Sequence, residues 1–182
     1  MMDFEKVLGI IIREFDEKEV HYGLIGGFAL GIFGLHRATI DLDFLIDKND
    51  IEKVEKIMKA IGYKCIYKSE DVSQYISDIK ILGEIDFLHA FREKAKKMLE
   101  RVKEKDIFEG RFKIKILIPE DIIGLKLQAI SNNPGREAKE YLDIENLMAH
   151  FGKELDWSII EEYFYLFGKD KKFKELKLKY EK

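Results

Sequence analysis

Phe4, Val7, Leu8, Ile11, Ile12 and Phe15 recur at helical spacing, so residues 3–18 read as an amphipathic helix. His21 to Ile25 is a short apolar run ending at Gly26-Gly27, the pattern of a buried strand, and Phe28 to Leu35 reads as a short helix starting at the glycines. From Thr39 to Ile46 the chain alternates: Ile40, Leu42, Phe44 and Ile46 face one way, Asp41 and Asp43 the other. Asp47-Lys48-Asn49-Asp50 is a turn with Asp50 placed to cap the next helix, 51–61, which shows Ile51, Val54, Ile57, Met58 and Ile61 on one side. Strands are expected at about 62–68, 74–82 and 84–90, the last two joined tightly near Gly83 as a hairpin.

Residues 91–105 read as a Lys/Glu-rich helix, and Phe112, Ile114, Ile116 and Ile118 as one more strand. Pro119 opens a helix, the position proline prefers. After it the pattern is helical throughout, over 119–131, about 135–150 and about 156–168. The fold class is therefore α/β (α+β): a mixed sheet with flanking helices over residues 1–118, then a helical subdomain over 119–182. The tail 169–182 carries seven lysines against Asp170, Glu175 and Glu181 and reads as a frayed helix or a basic arm.

The 182 residues suffice to bury a core without disulfides, and Cys65 is the only cysteine. A net charge of −3 argues against a generic polyanion binder. No signal sequence is expected, and no apolar run approaches the roughly 18 residues of a membrane span. A reducing cytoplasm is the expected compartment.

Asp41-x-Asp43 alone carries no information, because 35 acids in 182 residues generate about seven such pairs by chance. Its setting does. The pair lies in a strand with an apolar opposite face, some fifteen residues after a Gly-Gly turn, and strand geometry places the carboxylates roughly 7 Å apart on one side. Mg²⁺ favours such hard oxygen ligands together with substrate phosphates. Two ions about 4 Å apart stabilise both the attacking and the leaving oxygen of a phosphoryl transfer. Asp86, inside the apolar Gly83-Glu84-Ile85-Asp86-Phe87-Leu88, would complete the site if its strand neighbours the first, as a ligand and as acceptor of the attacking hydroxyl's proton. Gly26 and Gly27 would let backbone N–H groups approach a phosphate; Arg37 would neutralise the leaving pyrophosphate, and Thr39 would bond a phosphate or orient Asp41.

These segments together resemble the nucleotidyltransferase superfamily with the DNA polymerase β-like fold. The fuller pattern is similar to its AbiEii-like branch, which includes toxins of type IV toxin–antitoxin systems. That branch continues with a helix like Pro119–Ala129 and an Arg-x-x-Lys-Asp-x-x-Asp segment, matched here by Arg136, Lys139, Glu140 and Asp143, with Glu140 replacing the usual Asp. The resemblance implies that Asp41, Asp43 and Asp86 are metal ligands for two Mg²⁺ or Mn²⁺ ions, that Lys126 contacts the triphosphate, and that Arg136, Lys139 and Asp143 line or brace the cleft. The implied reaction moves a nucleoside monophosphate from a nucleoside triphosphate to a hydroxyl of RNA, protein or a small molecule. An antitoxin protein is the implied partner.

Plainer readings exist for each residue. Gly26-Gly27 is also an ordinary tight turn, Asp86 also a charge on an edge strand, Lys126 also a solvated helix position. Arg136 and Lys139 would equally pair with Glu140 and Asp143 on a helix surface. His21, His36, His89 and His150 lack zinc-ligand spacing, Cys65 reads as packed in its strand, and Trp157, Tyr163, Phe164, Tyr165 and Phe167 read as core. The rival function is a catalytically silent module of the same fold that binds nucleotide or a partner. A dinucleotide oxidoreductase fits less well, since Gly23-x-x-Gly26-Gly27-x-x-x-Gly31 lacks the required spacing.

Overall fold

The computed structural model describes residues 2–181, which divide into two compact units, 2–117 and 118–181. The first runs α1 (Phe4–Glu17), β1 (Tyr22–Ile25), α2 (Gly26–Ile32), β2 (Asp41–Asp47), α3 (Ile51–Ala60), β3 (Lys64–Lys68), β4 (Val72–Ile76), β5 (Glu84–Ala90), α4 (Glu93–Glu100), β6 (Lys103–Ile107) and β7 (Phe112–Ile116). Its seven strands form one mixed sheet in the order β3-β4-β5-β2-β1-β7-β6. The central pair β2–β5 is parallel, flanked by antiparallel β1–β2 and β4–β5.

The core is built on the sheet face that β2 and β5 cover with Leu42, Phe44, Ile85 and Phe87, all 0% exposed. The Phe44 and Phe87 rings stack with centroids 5.6 Å apart, and Phe15 of α1 and Tyr22 of β1 meet Phe44 edge-on. Asp3 caps α1 by accepting from the Lys6 N–H, and the helix buries Val7, Leu8, Ile11, Ile12 and Phe15, the stripe its spacing predicts.

Several expectations need correction. Ile40 lies outside β2 and is 78% exposed, so the apolar face begins at Leu42. β4 ends at Ile76, and the connection to β5 is a seven-residue loop, 77–83, rather than a tight turn. The expected helix 91–105 stops at Glu100 and gives way to β6, which turns back into β7 through Phe108, Glu109 and Gly110, all with positive φ. β6 is an edge strand whose first four residues are charged and exposed, so it carries no period-2 signal. Cys65 is exposed, because β3 is the opposite edge and all five of its residues face solvent.

Asp50 stands at the start of α3, but its side chain makes no cap bond there. Instead the buried carboxylate accepts from the His21 backbone N–H and contacts His21 Nδ1, both at 2.8 Å, and pairs with Lys53 at 2.7 Å. It thereby ties the start of β1 to α3. Burial would raise its pKa, but Lys53 and the two His21 contacts outweigh burial and hold it below the ordinary aspartate range.

The second unit contains α5 (Pro119–Asn132), α6 (Glu137–Phe151), α7 (Trp157–Leu166) and α8 (Asp170–Tyr180). The lysine-rich tail is therefore a helix anchored by buried Phe173 and Leu176. Trp157, Tyr163 and Phe164 are core as expected, whereas Tyr165 is 49% exposed. Asp121, wholly buried, accepts from Tyr163 Oη at 2.7 Å, and that ring lies against Gly124, where a Cβ would come within 2.9 Å of its carbons. Among the described residues no helix is long and apolar enough to cross a membrane.

Two stability measurements test this packing. Asp50→Asn is expected to cost about 1–3 kcal/mol at neutral pH in denaturant titrations, the range for orphaning buried polar partners. Because the folded-state pKa is depressed, that contribution is present above the unfolded pKa and fades as pH falls through the folded one, so wild type and variant converge in acid. Gly124→Ala is expected to cost about 1–3 kcal/mol through overpacking against a ring that Asp121 holds in place; an unchanged melting midpoint would contradict this contact.

Candidate active site

The β2–β5 register sets Asp43 beside Asp86 and Asp41 beside Glu84. All four residues share strand parity, so their side chains emerge on the face opposite the stacked phenylalanines. Neighbouring strands lie about 4.8 Å apart, which makes Asp43 and Asp86 lateral neighbours rather than distant charges. Two residues beyond Asp43, Leu45 is buried on this same face, so the acids sit at its open end.

β1 runs antiparallel beside β2 with Ile25 opposite Asp43, which brings the glycine turn to the same place. A Cβ on Gly26 would overlap the Asp43 carboxylate, and Gly26 has φ +72° besides. A Cβ on Gly27 would come within 2.8 Å of Thr39 Cβ and Oγ1. The space the glycines leave is thus used first by the protein's own side chains. Thr39 Oγ1 in turn donates to Asp41 Oδ1 at 2.8 Å. Gly27, Arg37 and Thr39 also share a cavity of about 580 Å³ with Phe28, Phe108 and Asp106.

Two contributors were not singled out from the sequence. Glu84 stands two residues before Asp86 with the same parity, an acid-x-acid repeat that mirrors Asp41-x-Asp43. Gln74, opposite Asp86 on β4, donates from Nε2 to Asp86 Oδ2 at 3.0 Å, and nothing in the local pattern marks it. Burial, and then the charges of Asp41 and Glu84, push the Asp86 pKa up, against the Gln74 bond. Among the described residues no three His, Cys, Asp or Glu side chains already converge as a finished metal cluster. The donor set nevertheless fits a hard divalent cation: carboxylate oxygens only, gathered on adjacent strands, with mutual repulsion that a cation would relieve.

The remaining expected residues lie in the second unit. Lys126 is neither solvated nor isolated: its Nζ donates to Glu140 Oε2 at 2.9 Å and to Asp143 Oδ2 at 2.6 Å. Arg136 closes on the other Glu140 oxygen through Nε at 3.0 Å and Nη2 at 2.6 Å. Burial acts to raise the Glu140 pKa, but Lys126 and Arg136 hold it below the usual range. Lys139 is exposed and takes no part in this group.

The family model described as "Nucleotidyl transferase AbiEii toxin, Type IV TA system" matches residues 13–181. No curated protein matches the chain in sequence. Among solved structures, that of the antibiotic-resistance factor ANT(2'')-Ia is similar with a TM-score of 0.69 at 17% identity, covering 96% of this chain and 97% of that one. The lincosamide antibiotic adenylyltransferase LnuA, lincomycin-bound, gives 0.56 at 20% identity, covering 80% and 97%. An antigenic nucleotidyltransferase-like protein from Paracoccidioides brasiliensis gives 0.59 at 15% identity, covering 98% and 93%. At such identities the likeness establishes a shared nucleotidyltransferase fold, and the match across nearly the whole sequence establishes the rest: the chain belongs to the AbiEii nucleotidyltransferase family.

Proposed function

We propose that this nucleotidyltransferase is metal-dependent and transfers a nucleoside monophosphate from a nucleoside triphosphate to an acceptor hydroxyl, as the toxin of a type IV toxin–antitoxin pair in the cytoplasm. The observation that carries the reading is the placement of Asp43 beside Asp86 on parallel neighbours, with Gly26 against Asp43. Asp41, Asp43 and Asp86 are the residues that would hold two Mg²⁺ or Mn²⁺ ions. When bound, such ions supply charge neutralisation on the triphosphate and on the leaving pyrophosphate.

The protein's own groups do the rest. Asp86, whose raised pKa suits a proton acceptor, takes the proton of the attacking hydroxyl. The acceptor oxygen bonds to the α-phosphorus, the bond from that phosphorus to the bridging oxygen breaks, and pyrophosphate leaves. Backbone N–H groups at Gly26 and Gly27, with Arg37 and Thr39, bind the phosphates. Within the second unit, Asp143 directly and Arg136 through Glu140 support Lys126, while Lys139 is exposed. The acceptor belongs to one of three classes, RNA, protein or a small molecule; the resistance enzymes with the same fold favour including the last.

A second reading, a silent binding module, draws on one observation: Thr39 and Gln74 hold Asp41 and Asp86 in separate hydrogen bonds. Incubation with each α-³²P nucleoside triphosphate plus total RNA and protein separates the two. Asp86→Asn is expected to lower label transfer by about 10²–10⁴-fold, the size of a lost proton acceptor. Chelation of divalent ions is expected to abolish transfer, and Mg²⁺ or Mn²⁺ to restore it. Gly26→Ala is expected to remove transfer as well, by displacing the Asp43 carboxylate. Triphosphate binding without any label transfer in the presence of metal would establish the silent module instead.

A further inference from the structure

Phosphate binding at Gly27 and Thr39 leaves most of the adjoining cavity of about 580 Å³ without a role. All of its walls lie in the first unit: α1, α2, the segment 37–39, the end of β6 and Phe108. The rings of Phe4, Phe28 and Phe108 line it, and none of the three is fully buried. The Phe28 centroid lies 4.9 Å from that of Phe4 and 6.3 Å from that of Phe108. Phe108 holds its place at φ +51°, a left-handed conformation that a bulky residue adopts at a cost. Arg37, Thr39 and Asp106 are the polar lining, and its two charges are opposite. Gly31 is the most telling wall. It does not have positive φ, and a Cβ built on it would meet no described atom within 4 Å. Gly27, one turn earlier on the same helix face, is required by Thr39. Neither backbone conformation nor packing requires Gly31, and glycine is a poor helix former. The side chain is missing where the cavity is open.

A cavity of this size, largely aromatic with a few polar groups, suits a small ligand. Phenylalanine faces stack on planar rings, and a carboxylate beside a guanidinium serves a ring edge that both donates and accepts. A nucleobase has both properties. Gly27 and Thr39 belong to the cavity and to the phosphate cradle alike, so ring and phosphates would meet adjoining walls. No wall belongs to β5, which carries the proton acceptor Asp86. Attacking and leaving oxygens lie in line on opposite sides of phosphorus, so the cavity is not the place of the acceptor. We propose that this cavity is a nucleobase site, with Phe28 and Phe108 as its stacking faces and Gly31 as the opening that admits the ring. The base belongs either to the triphosphate in the cradle or to a separate nucleoside. The site deepens the function proposed above and rests on its nucleotide chemistry alone, not on metal or transfer.

Titration of the full chain with adenosine, guanosine, cytidine and uridine in metal-free buffer tests it, read by calorimetry and by NMR cross-peaks from the base to the phenylalanine rings. At least one nucleoside is expected to bind and to show cross-peaks to Phe28 and Phe108. Phe108→Ala is expected to weaken that binding about 5–150-fold, the range for a lost base–aromatic stack. Gly31→Leu, which fills the opening, is expected to weaken it at least about tenfold. Gly31→Ala is expected to hold or raise the melting midpoint, because glycine there serves the cavity and not the fold. Saturating triphosphate with Mg²⁺ excludes the nucleoside if the base is the substrate's own, and leaves it bound if the site takes a separate nucleoside. Absence of binding by all four nucleosides, binding without those cross-peaks, or undiminished binding in Gly31→Leu would overturn the proposal. Should Gly31→Leu fail to fold, the cross-peaks of the wild type decide. Label transfer without nucleoside binding would overturn this inference alone. Nucleoside binding without label transfer would remove the transferase reading and leave the base site standing.

Discussion

The register of two parallel strands, β2 and β5, is the constraint on which the first unit depends. Register in a sheet is specified only as strongly as its faces differ, and a slip by one residue exchanges the faces. Here the difference is large. Leu42, Phe44, Ile85 and Phe87 are fully buried on one side, and Asp41, Asp43, Glu84 and Asp86 emerge on the other. A slip of either strand would drive its two acids into the aromatic layer, where an unpaired charge is strongly disfavoured. The stacked Phe44 and Phe87 rings and the adjacency of Asp43 and Asp86 are therefore one fact seen from two faces. Hydrophobic packing supplies the energy that holds mutually repelling carboxylates side by side.

The turn after β1 is subordinate to that arrangement. Ile25 pairs with Asp43, so the next residue must pass the carboxylate, and only a residue without Cβ and with access to positive φ does so. Gly27 meets the same demand from Thr39, which holds Asp41. A chain of contacts thus links Gly27 to Thr39 to Asp41, and Gly26 to Asp43. A change in the turn reaches the carboxylates directly, without any intermediate packing.

Much of this was legible in the sequence, for physical reasons that differ by element. The α1 stripe, β2 and β5 declared themselves because each has one buried and one polar face, the condition under which periodicity exists at all. β6 was invisible because an edge strand with Lys103, Glu104, Lys105 and Asp106 all exposed has no second face to contrast. Asp50 looked like a cap from its position, yet its carboxylate is claimed by His21, 29 residues away, which no local pattern encodes. Gln74 is hidden for the same reason, its meaning arising only across the β4–β5 ladder.

The helical unit shows the limit from the other side. Spacing at Arg136, Glu140 and Asp143 marks an ordinary helix surface, and at that level Arg136–Glu140 pairing at i, i+4 is worth only about 0.2–0.5 kcal/mol. Burial changes the account. Glu120, Asp121, Glu140 and Asp143 are four acids at 6% exposure or less in a unit of 65 residues. Each is satisfied by a named donor or by one of its neighbours: the Asp156 N–H for Glu120, Tyr163 for Asp121, Lys126 for the other two. Asp121 and Glu120 tie helices together through neutral donors, at α7 and at the turn before it. Only Glu140 and Asp143 converge on one cation, the Lys126 ammonium, which gives two buried carboxylates an opposite charge where a neutral donor would supply only a dipole.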